Sequence, residues 1–472
     1  MVKTVDVFTP AKHPTYTSVT RTEIWRELED LAEQGGAIIS VLGTTKLGKS
    51  TLVRETMAKA LFYAYVPGQN LTGGASALWA ALVAKLGIPS SSTTGKVSGD
   101  KSKWSFFARF GVSIPTALNI GGGSTVAGEH HVDSSTGATY DMDAPTAVTE
   151  ALAILSAAAR ESDKFPPMIV IDDFHFVTNS ETRRELVLAL RPITESNATL
   201  VLATLPGREN DEAFSTTNAG GRHYSVKVPV WNDDELRQIA DRGFEILNVR
   251  ATDETKNQLI KQSYGSPQIM QQLCLNLCRR VNGVRDDTTD VGMLSEPESW
   301  PEFFRLVRDE QSVAWLRTLG VGLTARRGRN LLDLKDGSSL DGYQLILRAI
   351  HEMRSPAEVP FTAVRDMVGE LVAATADLST VALEQKAKNM GIVASRQMQA
   401  ALDKKNAAGA EDQSEQELEE QQFTEEEIQI ADLIPQPVFE VAGNKAATMQ
   451  IRILDPLLAY SLTWHPEAFE QR

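Results

Sequence analysis

The chain has 472 residues, 42% hydrophobic and 23% charged, the composition of a soluble globular protein with core enough for about three domains. Its formal net charge of −15, from 62 acidic and 47 basic residues, excludes a nucleic-acid binder driven by overall basicity and leaves room only for a local basic patch. No apolar run reaches the length of a membrane span and the opening MVKTVDVFTPAKHPT holds no apolar signal core, so the expected location is the cytoplasm.

Prolines extend Asp6–Pro10 and His13–Tyr16, and Thr20-Arg21-Thr22-Glu23 opens a helix with Ile24, Leu28 and Leu31 on one face. Ala37–Leu42 is then a buried strand. It runs into Gly43-Thr44-Thr45-Lys46-Leu47-Gly48-Lys49-Ser50 and a helix-compatible stretch from Thr51. This is G-x-x-x-x-G-K-[ST] between a strand and a helix, the setting that marks a phosphate-binding loop. Gly43 and Gly48 let the backbone curl so that successive N–H groups face phosphate, and the helix start adds its positive dipole end. Lys49 is placed for the β- and γ-phosphates and the Ser50 hydroxyl for Mg²⁺.

Leu61–Val66 reads as a second strand ending at Pro67-Gly68, and residues 75–87 as an amphipathic helix. Residues 88–145 turn rich in Ser, Thr and Gly around the partly alternating run Trp104–Ile114. Two readings stand for this segment: a β-hairpin whose apolar side meets a neighbouring subunit or partner, or a surface loop. His130-His131 lacks a third ligand nearby, which argues against a metal site. After a helix over Pro145–Arg160, Met168-Ile169-Val170-Ile171 leads into Asp172-Asp173. An apolar strand ending in two acids is the Walker B pattern, with Asp172 as the Mg²⁺ carboxylate and Asp173 placed to orient attacking water. The gap from Lys49 to Asp172 is about twice what a strand, two helices and short loops need, and the surplus matches an insert of roughly 88–145.

A helix over Glu181–Arg191, the buried strand Thr199–Thr204 and a fifth strand Tyr224–Val228 complete an α/β, doubly wound parallel P-loop sheet, with its ligand at the carboxyl ends of the strands. Thr204 and, past the Pro206-Gly207 turn, Arg208 are candidate catalytic residues. Three helices follow as a lid, the third opened by Gly265-Ser266-Pro267, and residues 282–300 read as a polar linker. Cys274 and Cys278, on adjacent turns of an apolar helix, read as buried and reduced. From about Trp300 the chain gives three helical segments (Gln344–Met353, Phe361–Leu371, Val381–Met398) and a hairpin of Phe439–Val441 and Met449–Ile453, a winged-helix order. The acidic stretch 411–427 interrupts it and reads as disordered. Arg326-Arg327-Gly328-Arg329 is a basic cluster read as a phosphate contact or a solvated loop. The expected domains are 1–230 (ATPase core with the insert), 231–285 (helical lid) and 300–472 (winged-helix-like domain with an acidic insert at about 404–427).

With these motifs in this order, the chain resembles AAA+/STAND-type P-loop ATPases, in layout the origin-recognition-like initiators and the bacterial STAND signalling ATPases. The resemblance covers about residues 13–281 and, more loosely, the C-terminal region. It implies ATP and Mg²⁺ bound between sheet and lid, with Gly43, Thr44, Thr45, Lys46, Leu47, Gly48, Lys49, Ser50 and Thr51 around the phosphates and Pro267 near the base. Tyr16 and Arg21 are candidates to pack over the adenine, or else merely pack and solvate the helix start. It further implies an ATP-hydrolysing switch that forms homo-oligomers or gates a protein effector, in a setting such as bacterial antiviral defence or mobile-element biology. The alternative is a DNA-binding initiator or transposition-helper ATPase that uses Lys386, Lys388 and Arg396 of the C-terminal domain. Two departures stand out: Asp173 where many relatives carry Glu, which implies slow hydrolysis, and no Asn at the end of the Thr199–Thr204 strand. The resemblance assigns no arginine finger: Arg183, Arg184, Arg191 and Arg222 are open candidates, each read first as an ordinary surface arginine.

Overall fold

The computed structural model describes residues 1–12, 14–88, 96–97, 142–177, 179–205, 222–323, 331–373, 383–394, 438–443 and 445–470. Arg208, His130-His131, Arg326–Arg329, Arg396, the acidic stretch and most of the expected 88–145 insert lie outside them. The chain forms two compact units. One holds residues 21–43 and 49–228; the other gathers residues 1–20, 44–48 and 229–472.

The first unit is built on β1 (Ile38–Leu42), β2 (Tyr63–Pro67), β5 (Met168–Asp172), β6 (Thr199–Thr204) and β7 (His223–Lys227), with helices α1 (Thr22–Gln34), α2 (Lys49–Met57), α3 (Ala75–Lys85), α4 (Ala144–Glu161) and α5 (Ser180–Glu195). Among the described residues, the short β3 (Lys96–Val97) and β4 (Met142–Asp143) pair with each other. The five-stranded sheet is parallel throughout, in the order β2-β5-β6-β1-β7. Its inner strands β1, β5 and β6 are buried along their whole length, which is why they read as mostly apolar runs. Ile169, Ile171, Leu200 and Leu202 turn to one face and join the core under α3, α4 and α5, through Leu78, Leu82, Leu152, Leu155 and Leu190. The alternate residues Val170 and Val201 face the other side, where α2 packs against β5 and β6. The expected fold class is the one observed: an α/β doubly wound P-loop sheet. Because β6 lies between β1 and β5, three strand ends converge at one edge, those of Leu42, Asp172 and Thr204.

The second unit begins its helical part with α6 (Asp233–Ile246), α7 (Asp253–Lys261) and α8 (Pro267–Asn276), the last running into a π-helical turn over Leu277–Val281. A reciprocal capping box between Asn232 and Glu235 starts α6. The first residues of the chain pack here. Phe8 is fully buried and meets the Phe244 ring edge-on at 5.7 Å, and Thr4 N–H donates to Arg285 O. Residues 282–300, expected as a linker, are folded: β8 (Val249–Arg250) and β9 (Gly292–Met293) pair in parallel, Ser295 N–H donates to Asn282 Oδ1 and Leu294 is buried. Backbone pairing, which composition does not report, holds this acidic stretch in place.

Further on come α9 (Glu310–Val321), β10 (Leu332–Asp333), β11 (Ser339–Leu340), α10 (Gly342–Glu352), β12 (Glu358–Pro360), α11 (Phe361–Leu371), α12 (residues 383–394), β13 (Phe439–Ala442), β14 (Gln450–Ile453) and α13 (Pro456–Trp464). Three helices followed by the β13–β14 hairpin, with β12 added to give an antiparallel β12-β14-β13 sheet, is the winged-helix arrangement. Its core joins Leu345, Ile346, Phe361, Val364, Ala387, Met390, Phe439 and Ile451.

Candidate nucleotide site

In the first unit, the residues that sequence spacing singles out converge at the carboxyl end of the sheet. The Ser50 hydroxyl, at the start of α2, donates to Asp172 Oδ2 at 2.9 Å. Lys49, one residue earlier, folds back so that Nζ donates to Gly43 O at 2.7 Å. Thr204 is buried at the end of β6, level with Leu42, and its carbonyl accepts the Gly43 N–H at 3.3 Å. Asp173 follows β5 with φ 54° and ψ 45°, the left-handed region that Asp and Asn enter more readily than most residues. This bend swings its side chain out of the strand alternation, and its N–H donates to Asp172 Oδ1 at 3.0 Å.

The charges here are strongly coupled. Burial lowers the Lys49 ammonium to about 8, although Asp173 and Asp172 both favour its charged form. Burial also lifts the Asp173 carboxyl to about 6; the neighbouring Asp172 charge adds to the rise and Lys49 opposes it. Two carboxylates and one ammonium in a partly dry pocket form a set poised for a cationic ligand and its anionic partner. Ser50 Oγ and Asp172 Oδ2 are hard oxygen donors within one coordination shell of each other. They suit Mg²⁺, which takes one or two protein ligands and fills the rest of its octahedron with phosphate and water.

Three further features of this unit were not legible beforehand. The Tyr65 hydroxyl on β2 donates to Asp172 Oδ2 at 2.5 Å, and burial together with that bond raises its pKa. The Arg54 guanidinium lies 5.6 Å over the Tyr65 ring. Gly68 lies so close to the end of β5 that a Cβ there would sit 2.4 Å from Asp173 O; only glycine allows this approach.

The tip of the loop, Thr44–Gly48, gathers with the second unit. Lys46 (φ 60°) and Gly48 (φ 87°) give the tip its curl. The Thr45 N–H and hydroxyl both donate to Leu454 O, at 3.3 and 3.1 Å, and Lys46 Nζ donates to Asp455 Oδ2 at 2.6 Å. Asp455 also caps α13, accepting the Leu457 N–H on Oδ1 at 2.8 Å. The Trp231 indole donates to Leu47 O at 3.0 Å while its own backbone N–H donates to Gly265 O at 3.0 Å. The Gly265-Ser266-Pro267 turn is thus one residue removed from the loop through Trp231, with Pro267 in the first turn of α8. Tyr16 is 40% exposed in this unit, and Arg21 flanks the start of α1 in the other. Sequence patterning gave no sign of Trp231 or Asp455, whose roles depend on where the chain returns.

No family model matches the sequence, and no curated protein matches it. Among solved structures the chain is similar to a Walker-type ATPase of Pyrococcus abyssi, with 12% identity over 94% of this chain and 95% of that one and a TM-score of 0.43. The ORC2 protein of Aeropyrum pernix gives 13% identity, 98% and 97% coverage and a TM-score of 0.39. Cdc6p from Pyrobaculum aerophilum gives 12%, 97% and 97%, and 0.36. The fold rests on the strand order above.

Proposed function

We propose that this chain binds ATP with Mg²⁺, hydrolyses it slowly, and acts as a switch on a protein partner. One observation supports the reading above all: Lys49 and Ser50 at the loop–helix junction meet Asp172 and Asp173 at the end of β5, with Ser50 on Asp172 at 2.9 Å. In this reading the amides of Gly43–Thr51 cradle the phosphates and Lys49 leaves Gly43 O for them. Ser50 and Asp172 hold Mg²⁺, which when bound neutralises charge on the transferring phosphoryl oxygens. Asp173, once ionised, accepts a hydrogen bond from the attacking water, and Thr204 offers a hydroxyl beside it; Arg208 belongs to the proposed set by sequence position alone. Hydrolysis is slow because Asp173 is one methylene shorter than the usual Glu.

The switch part of the reading rests on Thr45 and Lys46, whose donors are engaged by Leu454 and Asp455 and which also belong to the phosphate loop. A protein effector is favoured over DNA as the target because Lys388 on α12 pairs with Glu384 at 2.7 Å and Lys386 lies 5.0 Å over the Tyr343 ring, so these lysines have partners within the domain. Antiviral defence and assembly of several copies belong to the same proposal.

The test is equilibrium ATP binding and phosphate release for wild type, Lys49→Ala and Asp173→Asn. Wild type is expected to bind and turn over, Lys49→Ala to lose at least ~10-fold in affinity, and Asp173→Asn to bind without release. A wild-type protein that binds no nucleotide at millimolar ATP with Mg²⁺ would overturn the reading. Solution mass of Asp173→Asn with and without ATP separates an assembling switch, which grows, from a single-copy adaptor, which does not.

A further inference from the structure

Three side chains, Ser50, Tyr65 and Arg54, form a ring of contacts with the Asp172 carboxylate at the end of β5. Ser50 and Arg54 are four residues apart on α2 and so share one helix face. Tyr65 stands opposite Val170, and Pro67 opposite Asp172, in the parallel pairing of β2 with β5. Tyr65 and Asp172 therefore point to the same face as diagonal neighbours, within reach of a long aromatic side chain. The Tyr65 hydroxyl and the Ser50 hydroxyl both donate to Asp172 Oδ2, at 2.5 and 2.9 Å, while Oδ1 takes the Asp173 N–H. Arg54 lies over the Tyr65 ring and returns the ring of contacts to α2.

We infer that Tyr65 is a positioning residue for Mg²⁺: its hydroxyl fixes the Asp172 carboxylate so that Oδ2 faces Ser50, and Arg54 holds the phenol in place. The inference rests on the nucleotide reading above and adds a residue to it. A carboxylate bound to backbone on one oxygen and to two hydroxyls on the other has a single orientation. Without Tyr65 one of those donors is gone, and the carboxylate can turn about its last bond. An aromatic residue on a neighbouring strand thus does for Asp172 what outer-shell partners do for metal ligands generally.

The test uses Tyr65→Phe, which keeps the ring beneath Arg54 and removes only the hydroxyl. Mn²⁺ serves as probe with ADP present, so nothing turns over: free Mn²⁺ is read by electron paramagnetic resonance, and ADP affinity is measured separately in chelator. Tyr65→Phe is expected to weaken Mn²⁺ binding by ~10-fold or more, as loss of an outer-shell partner does, with metal-free ADP affinity unchanged. The Mg²⁺ concentration for half-maximal ATP hydrolysis is expected to rise by a similar factor. Arg54→Met is expected to give a smaller loss in the same direction. Unchanged Mn²⁺ affinity would overturn the inference, as would an equal fall in metal-free ADP affinity, which would mark a general packing role. If wild type binds no nucleotide, the functional reading itself falls, an outcome separate from either of these.

Discussion

Replacing Asp173 by Asn isolates the electrostatics of the site from its backbone. Asn enters the left-handed region about as readily as Asp, so φ 54° is kept without new strain. What changes is the carboxyl. Lifting it from an ordinary 3.8 to about 6 costs up to about 3 kcal/mol once it ionises, at ~1.4 kcal/mol per pH unit. The group is partly exposed, and solvent screening reduces this to about 1–2 kcal/mol. The sign follows from proton counts. Below pH 3.8 both folded and unfolded chains hold the proton. Between 3.8 and about 6 the unfolded chain gives it up first, so folding stability falls across that window and is level above it. Asn has no proton to lose. The metal-free, nucleotide-free variant is therefore expected to match wild type near pH 4 and to exceed it by about 1–2 kcal/mol at pH 7. In a melt followed through the transition that ADP shifts, this is about 2–8 °C for a domain of some 200 residues. The same variant is expected to release no phosphate. A stability difference that does not vary with pH, or a variant less stable at pH 7, would refute the reasoning.

Asp455→Asn keeps an acceptor for the Leu457 N–H and removes the charge held at 2.6 Å by Lys46. ADP is expected to bind about 5-fold tighter at low salt, roughly 1 kcal/mol for a partly exposed charge-assisted bond, with the gain shrinking as salt rises; unchanged affinity would disprove competition for the loop. Cys274 and Cys278 are free, fully buried thiols, and burial pushes Cys278 up to about 12. A colorimetric thiol reagent at pH 8 is expected to find neither in the folded protein and both in denaturant; rapid labelling of the native protein would show that α8 opens readily.

How far the sequence speaks depends on how local each cause is. The loop and the β5 strand end are legible because adjacent residues carry both the conformation and the chemistry. The buried runs of β1, β5 and β6 declare themselves by four apolar residues each, but their order does not, since it depends on which edges meet. Tyr65 sits in an ordinary β-rich run; its link to Asp172 exists only through the β2–β5 register, more than a hundred residues apart. Asp455 is 409 residues from Lys46. Residues 282–300 misled for the opposite reason: acidic composition suggested a linker, while one buried leucine, Leu294, and backbone bonds hold the stretch in place.

The pairing of β3 with β4 has its own consequence. Lys96 stands opposite Asp143 and Val97 opposite Met142, immediately before α4. The core thus meets residues 98–141 through two chain ends already held side by side. Helix α2 and strand β5, which present Ser50 and Asp172, stand outside that pair. The β3–β4 ladder is a sheet of its own, so the register of the five central strands is set without it.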